Sequence, residues 1–242
     1  MFQLSSNSTV AEIEASSPEM LVILKSSGIF KDGDETDISI GQLCFNFGLH
    51  PQVILNMLAQ ATPKEIPDGI DVSAIEAMGL VELVEHIEKE HHEFLRDRLP
   101  VIVKLANEVA EKDESYIELE KLLIRVAGEL EEHLLHEEEA LFPMCRDMEK
   151  DGAIKATACG DKVAGPIECM KREHNDCSED LATMRELAHD YELPAGADES
   201  LIKLLSYLAE FEANTVHHIY KEDEQLFPRA LDTQIALREA KQ

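Results

Sequence analysis

Glu129-Leu130-Glu131-Glu132-His133-Leu134-Leu135-His136-Glu137-Glu138-Glu139-Ala140-Leu141-Phe142-Pro143 is the stretch that decides the fold. His133 and Glu137 stand four residues apart, so on a helix they share one face, one turn from each other. An imidazole and a carboxylate placed that way can grip the same small object. Leu141-Phe142-Pro143 follows four residues later. The pattern occurs again in Val216-His217-His218-Ile219-Tyr220-Lys221-Glu222-Asp223-Glu224-Gln225-Leu226-Phe227-Pro228, with His218, Glu222 and Leu-Phe-Pro at the same internal spacing and an offset of 85 residues. His92, in Lys89-Glu90-His91-His92-Glu93, and His174, in Arg172-Glu173-His174-Asn175-Asp176, lie 82 residues apart, nearly the same offset. The order is a histidine, then His-x-x-x-Glu, then the same again, an internal repeat built on polar residues.

Composition frames this repeat. With 242 residues, the chain has room for one sizeable domain plus a small appendage. Lys plus Arg number 22 against 50 Asp plus Glu, a formal charge of −28 that argues against nucleic-acid backbones and anionic membranes as partners. Hydrophobic residues make up 44% and recur with helical period, which implies a packed core rather than a disordered chain. No apolar run reaches the length of about 18 residues that a membrane span needs. Met1 to Val10 has neither a basic start nor an apolar stretch, so no secretory signal is expected. Five cysteines (Cys44, Cys145, Cys159, Cys169, Cys177) form no C-x-x-C and read as reduced thiols in a cytoplasmic protein.

Taken in order, residues 1–60 read as short helices. Thr9-Val10-Ala11-Glu12 is a capping-box pattern and Ser17-Pro18-Glu19 a helix start. Further helices are expected from Ser39 to Gly48 and from Pro51 to about Gln60. Residues 61–74, with Pro63, Pro67 and Gly69, read as a linker, although the first long helix already has its start near Asp71. Residues 75–235 then hold an up-down-up-down four-helix bundle, an all-α fold. Its helices are expected from Asp71 to Glu111 with a kink at Pro100, Ser115 to Lys150, Gly165 to Tyr191 and Asp198 to Leu231. Leu119, Leu122, Leu123, Val126, Leu130 and Leu134 form the inward stripe of the second.

On that bundle the four helices contribute His92; His133 and Glu137; His174; and His218 and Glu222. Each helix supplies at least one donor, which is how bundle metal sites are built. Six donors exceed the four of a closed structural zinc site. Two metals with bridging carboxylates suit them better, as a non-haem di-iron centre; manganese fits less well because the set is rich in imidazole. Taken singly, an inward histidine is more often a hydrogen-bonded core residue; the duplicated order is what favours a site. His91, His136 and His217 read as lying just outside the ligands or exposed, and His86 as incidental. Glu131, Glu132, Glu138, Glu139, Asp223 and Glu224 read as a solvated face. Glu129 and Glu173 are expected to orient a ligand imidazole or to line a channel to the metals, the alternative being plain exposure. Each Leu-Phe-Pro is expected to cap the site end, its proline disrupting the helix beyond the last ligand.

At these residues the chain resembles the hemerythrin-like superfamily. The resemblance is closest to the di-iron proteins for repair of iron–sulfur clusters under nitrosative and oxidative stress (the RIC family). It covers roughly residues 75–235 and includes Leu226-Phe227-Pro228-Arg229-Ala230-Leu231. It implies two iron ions in an oxo- and carboxylate-bridged centre on His92, His133, Glu137, His174, His218 and Glu222, with Glu129 and Glu173 nearby. It also implies a small diatomic ligand, nitric oxide or dioxygen, and damaged iron–sulfur proteins as partners. Residues 1–60 resemble a diverged form of the family's N-terminal domain, in which the loop after Gly28-Ile29 ordinarily carries a Cys pair. Here Gly28 to Thr36 has none, and Cys44 comes later and alone. Two functions therefore stand: cluster repair through iron supply or nitric oxide chemistry, and gas binding or sensing without turnover. A structural or zinc-bound bundle is the third.

Overall fold

Thr9 opens the first helix. Its hydroxyl accepts the Glu12 backbone N–H at 3.2 Å while the Glu12 carboxylate accepts the Thr9 N–H at 2.9 Å, the reciprocal pairing the sequence pattern calls for. The computed structural model describes residues 4–26, 28–31, 33–59, 66–153 and 162–240, which divide into two compact units, Met1–Glu65 and Ile66–Gln242.

The first unit holds α1 (Val10–Ser16), α2 (Pro18–Ser26), α3 (Ile40–Asn46) and α4 (Pro51–Ala59). Ser39 caps α3 by accepting the Gln42 N–H at 3.2 Å, and Gly48, with φ of 65°, takes the left-handed turn that lets the chain leave it. Val10, Ile13, Leu24, Ile40 and Leu58 are fully buried at its centre. Cys44 packs there too, 1% exposed, and burial raises its pKa above the ordinary thiol value.

In the second unit Asp71 caps a short α5 (Val72–Ala77), accepting the Ala74 N–H at 3.1 Å. The continuous helix expected from Asp71 is therefore broken: Met78 is extended and Gly79 starts the bundle proper. The Glu149 carboxylate accepts the Val81 N–H, supplying the cap that glycine lacks. The first bundle helix is α6 (Leu80–Ile87), a π-helical turn at Glu88–His92, and α7 (Glu93–Ala110), which runs on through Pro100. The second is α8 (Ile117–His136), a π turn at Glu137–Leu141 and α9 (Phe142–Asp151). The third is α10 (Ala164–Leu187); most of the connection leading to it, residues 154–161 with Cys159, lies outside the described residues, as do residues 60–65 of the expected linker. The fourth is α11 (Glu199–Lys221), a π turn at Glu222–Leu226 and α12 (Phe227–Glu239).

The third helix stops at Leu187 rather than running to Tyr191. His189, Asp190 and Tyr191 take φ of 51°, 54° and 62°, a left-handed turn that strains residues bearing a Cβ. Tyr191 is held there by its hydroxyl donating to Glu212 and by the Arg185 guanidinium over its ring. The expected stripe of α8, Leu119 through Leu134, is buried. Two apolar clusters result. One is built on α7, α8, α10 and α11. The other gathers α5, α6, α9, α12 and the start of α10. The chain passes from one cluster to the other at His92, Glu137, His174 and Glu222.

Candidate metal centre

The two Leu-Phe-Pro segments explain the local backbone. A proline in a helix has no N–H to donate, and its ring clashes with the carbonyl four residues back, here those of Glu139 and Glu224. Each helix relieves this by widening to a π turn just before the proline: Phe142 N–H donates to Glu137 C=O, and Phe227 N–H to Glu222 C=O, five residues back. The prolines thus sit in the first turn of α9 and α12 and the helices continue. The widening aims the preceding phenylalanines inward. Phe142 stacks on His92 with ring centroids 5.4 Å apart, and Phe227 on His174 at 5.7 Å.

All six sequence-predicted donors converge. Among the described residues two overlapping groups have their donor atoms within 4.8 Å of one another: His92, Glu137, His218 and Glu222; and His133, Glu137, His174 and Glu222. The two glutamates belong to both. Ring positions agree with this division, since the His92–His218 and His133–His174 centroids lie 5.0 Å apart in each pair and the cross-pairs lie 6.1 and 6.3 Å apart. Nε2 of His92 and His133 faces Glu137 at 3.4 and 3.3 Å, and Nε2 of His174 and His218 faces Glu222 at 3.1 and 3.2 Å.

Nε2 of His92, His174 and His218 and both oxygens of Glu137 and Glu222 are buried without a hydrogen-bond partner. Buried polar atoms are ordinarily satisfied. Two wholly buried carboxylates left bare, amid imidazole nitrogens aimed at the same point, fit a bound cation. The opposite ring nitrogens are turned outward onto carboxylates: His92 Nδ1 to Glu138 at 2.8 Å, His133 Nδ1 to Glu173 at 2.7 Å, and His174 Nδ1 to Asp223 at 2.8 Å. Such partners put the proton on Nδ1 and leave Nε2 free to ligate. Glu173 is thereby brought to the site. Glu129, exposed and paired with Arg125 at 2.8 Å, instead lines, with Glu173, a cavity of about 440 Å³ among α8, α10 and α11 that reaches His133, His174 and His218.

Two acids assigned to a solvated face are not there. Asp223 is buried and Glu138 half-buried, each behind a histidine of the two donor groups that comes from another helix. Glu138 follows Glu137 as Asp223 follows Glu222, so the repeat itself carried the signal: both positions are acidic at the same offset of 85. His86 is not incidental either, and His91, expected outside the ligands or exposed, takes the first of these places. His91 is buried, stacks flat on His218, and with His86 contacts the buried Lys221.

Electrostatically the site is a nest of opposed charges. Burial alone would raise the pKa of Glu137, but His133, His218 and His92 outweigh it and hold the carboxyl well below its usual range. Burial alone would lower His174 and His218; Asp223 and Glu222 push the first up to about 9, and Glu222 and Glu137 the second to about 10. Without metal the pocket therefore holds protons that a cation would displace. His91 is pushed the other way, to about 2, by burial first and then by His218 and Lys221.

Residues 82–230 match the hemerythrin HHE cation binding domain. The chain is 31% identical over 156 residues to the iron-sulfur cluster repair protein YtfE of Pectobacterium carotovorum, covering 63% of this chain and 66% of that one. It is 32% identical over 155 residues to the probable iron-sulfur cluster repair protein of Haemophilus influenzae, covering 62% and 65%. The match thus spans slightly under two thirds of these relatives' lengths. No helix among the described residues is long and apolar enough to cross a membrane. The bundle of bare carboxylates and converging imidazoles is thus a metal-binding one, and the chain belongs to the hemerythrin HHE family.

Proposed function

We propose that the site holds two iron ions and that the protein works in the cytoplasm in the repair of iron–sulfur clusters damaged by oxidative or nitrosative stress, by supplying iron, by nitric oxide chemistry, or by both. The observation that carries the reading is the pair of overlapping donor groups sharing two bare, wholly buried carboxylates. One ion cannot use six donors so divided; two ions, each with two imidazoles and both glutamates, can. The names of the similar proteins supply the cluster-repair context.

When bound, iron supplies one-electron redox change and open positions for a diatomic ligand. The chain's own residues do the rest. Glu138, Glu173 and Asp223 fix three imidazoles in the ligating tautomer. Phe142 and Phe227 exclude water from one side of the site. The cavity beside Glu173 gives access from solvent. Damaged iron–sulfur proteins and nitric oxide or dioxygen are the partners this arrangement suits. In the same reading residues 1–60 are a helical appendage and 75–235 the working bundle, the expected linker 61–74 running into α5 at Val72.

The test incubates anaerobically loaded protein with an apo iron–sulfur dehydratase and, separately, with nitric oxide. Iron transfer with recovered dehydratase activity, or nitric oxide consumption, is expected; the absence of both overturns the proposal. One observation favours the second reading, binding or sensing without turnover: Cys44, the sole cysteine of the first 65 residues, is 1% exposed, so no accessible thiol there can hand on iron. Reversible gas binding with no product would select that reading.

A further inference from the structure

Lys221 lies immediately before Glu222 and is buried, 8% exposed. Its Nζ is 2.8 Å from His86 Nε2 and 2.8 Å from His91 Nε2. Burial lowers the Lys221 pKa from its ordinary value; as an ammonium it only donates, so both imidazoles then accept on Nε2 and His91 carries its proton on Nδ1. That proton goes to Asn214 Oδ1 at 3.0 Å, and Asn214 Nδ2 donates onward to the Glu90 carbonyl at 3.2 Å. Every bond in the chain runs away from the amine. The His91 ring lies over His218 at 5.5 Å with 11° between planes. The ammonium, His91 and His218 thus form one column ending on the metal position of His92 and His218.

A second cation acts on the same side. Arg96 grips Glu138, the carboxylate behind His92, with two bonds of 2.8 and 2.9 Å. The other position is backed differently. Behind His133 stands Glu173, whose second oxygen accepts from the Cys169 thiol at 3.4 Å, and behind His174 stands Asp223. A ligand set that looks symmetric therefore has two cations, Lys221 and Arg96, on the side of His92 and His218.

We infer that Lys221 is a positioning residue that makes the two metal positions unequal, so that with iron in both the His92–His218 position takes up an electron first. The inference rests on the di-iron reading. A positive charge in a low-dielectric interior favours the lower-charged state of a neighbouring ion, and the potentials of iron sites respond to nearby charge and hydrogen bonding.

The test is a redox titration of the iron-loaded protein with dithionite as electron donor, followed by Mössbauer spectroscopy of ⁵⁷Fe, with iron content and melting temperature measured beside it. Each step reduces one ferric ion to ferrous with one electron. The wild type should show two separated one-electron steps. Lys221→Gln, which keeps a donor for His91 but removes the charge, should move the first step to more negative potential and bring the two together. Lys221→Arg should keep the wild-type separation. If Lys221→Gln does not fold, Lys221→Met decides, and a wild type reduced in one two-electron step overturns the inference without any variant. Unchanged steps in a folded Lys221→Gln with two irons bound overturn it too. So does a first step that rises in Lys221→Arg while Lys221→Gln leaves it in place, since that marks an uncharged amine. A chain that takes up only zinc, or no metal, overturns the di-iron reading and this inference with it.

Discussion

The two repeats, His133 to Pro143 and His218 to Pro228, share a frame and differ in what surrounds it. In each, the histidine and glutamate face the metal position, the next residue is an acid on the histidine of a different helix, and the phenylalanine stacks on that same histidine. Glu138 and Phe142 serve His92; Asp223 and Phe227 serve His174. Yet the Glu138 side chain is 25% exposed and tied to Arg96, whereas that of Asp223 is 8% exposed. The repeat carries the donor geometry; Arg96, outside it, and Lys221, which stands where the first repeat has His136, differ between the two halves. Coordination and tuning are thus separable in this bundle.

The comparison is broken most sharply at the shared glutamates. Glu137 and Glu222 each belong to both donor groups, so Glu137→Ala or Glu222→Ala should abolish metal retention altogether. His92→Ala touches one group and should leave one ion bound. Elemental analysis after desalting distinguishes these, and retention of an ion in Glu222→Ala would show that the positions are independent.

The outward carboxylates come next. Partners behind a ligating imidazole are worth about 10–100-fold in metal affinity. Asp223→Asn should fall at the upper end, because little water can reach the buried imidazole to make up for the lost charge. Glu138→Gln should fall at the lower end. Competition with a chelator measures both, and the reverse order would contradict the role assigned to burial.

A smaller effect concerns pH. In the metal-free protein His174 and His218 titrate at about 9 and about 10, above the value of about 6.5 for an unfolded histidine. The folded state binds protons more tightly, so this stabilisation is complete below about pH 6.5 and is lost as pH rises through about 9 to 10. The melting temperature of metal-free protein should fall by several degrees from pH 7 to pH 10, at about 2–4 °C per kcal/mol for a domain of this size. Metal-loaded protein, whose imidazoles are already deprotonated, should lack that fall. An unchanged apo melting temperature would mean that the pocket holds no such protons.

The smallest effect is at Glu129. Exposed and paired with Arg125, it should yield Glu129→Ala protein that changes stability by less than about 1 kcal/mol and keeps its full metal content. Loss of an ion in that variant would place Glu129 at the site after all.

These comparisons also show what the sequence makes legible. The i,i+4 pairs and the apolar stripes depend only on helical period, and His133, Glu137, His218, Glu222 and Leu119 through Leu134 lie where that period puts them. Glu138 and Asp223 were missed because a residue one step from a ligand points about 100° away, towards a neighbouring helix whose identity no local period encodes. His86 and Lys221 are hidden for the same reason, and His91 can be placed no closer than outside the ligands, because the three come from two distant stretches that only the bundle joins. The left-handed turn at His189 to Tyr191 carries no glycine to announce it and depends on Glu212 and Arg185, tertiary partners. The prolines disturb the helical hydrogen bonding just past Glu137 and Glu222, as their position implies, and a π turn absorbs each one without ending the helix.

Metal content of the wild-type chain, purified without oxygen and measured by elemental analysis, tests the central claim most directly. Two irons per chain are predicted, because two donor groups share two carboxylates. One metal per chain, or zinc alone, would contradict the account.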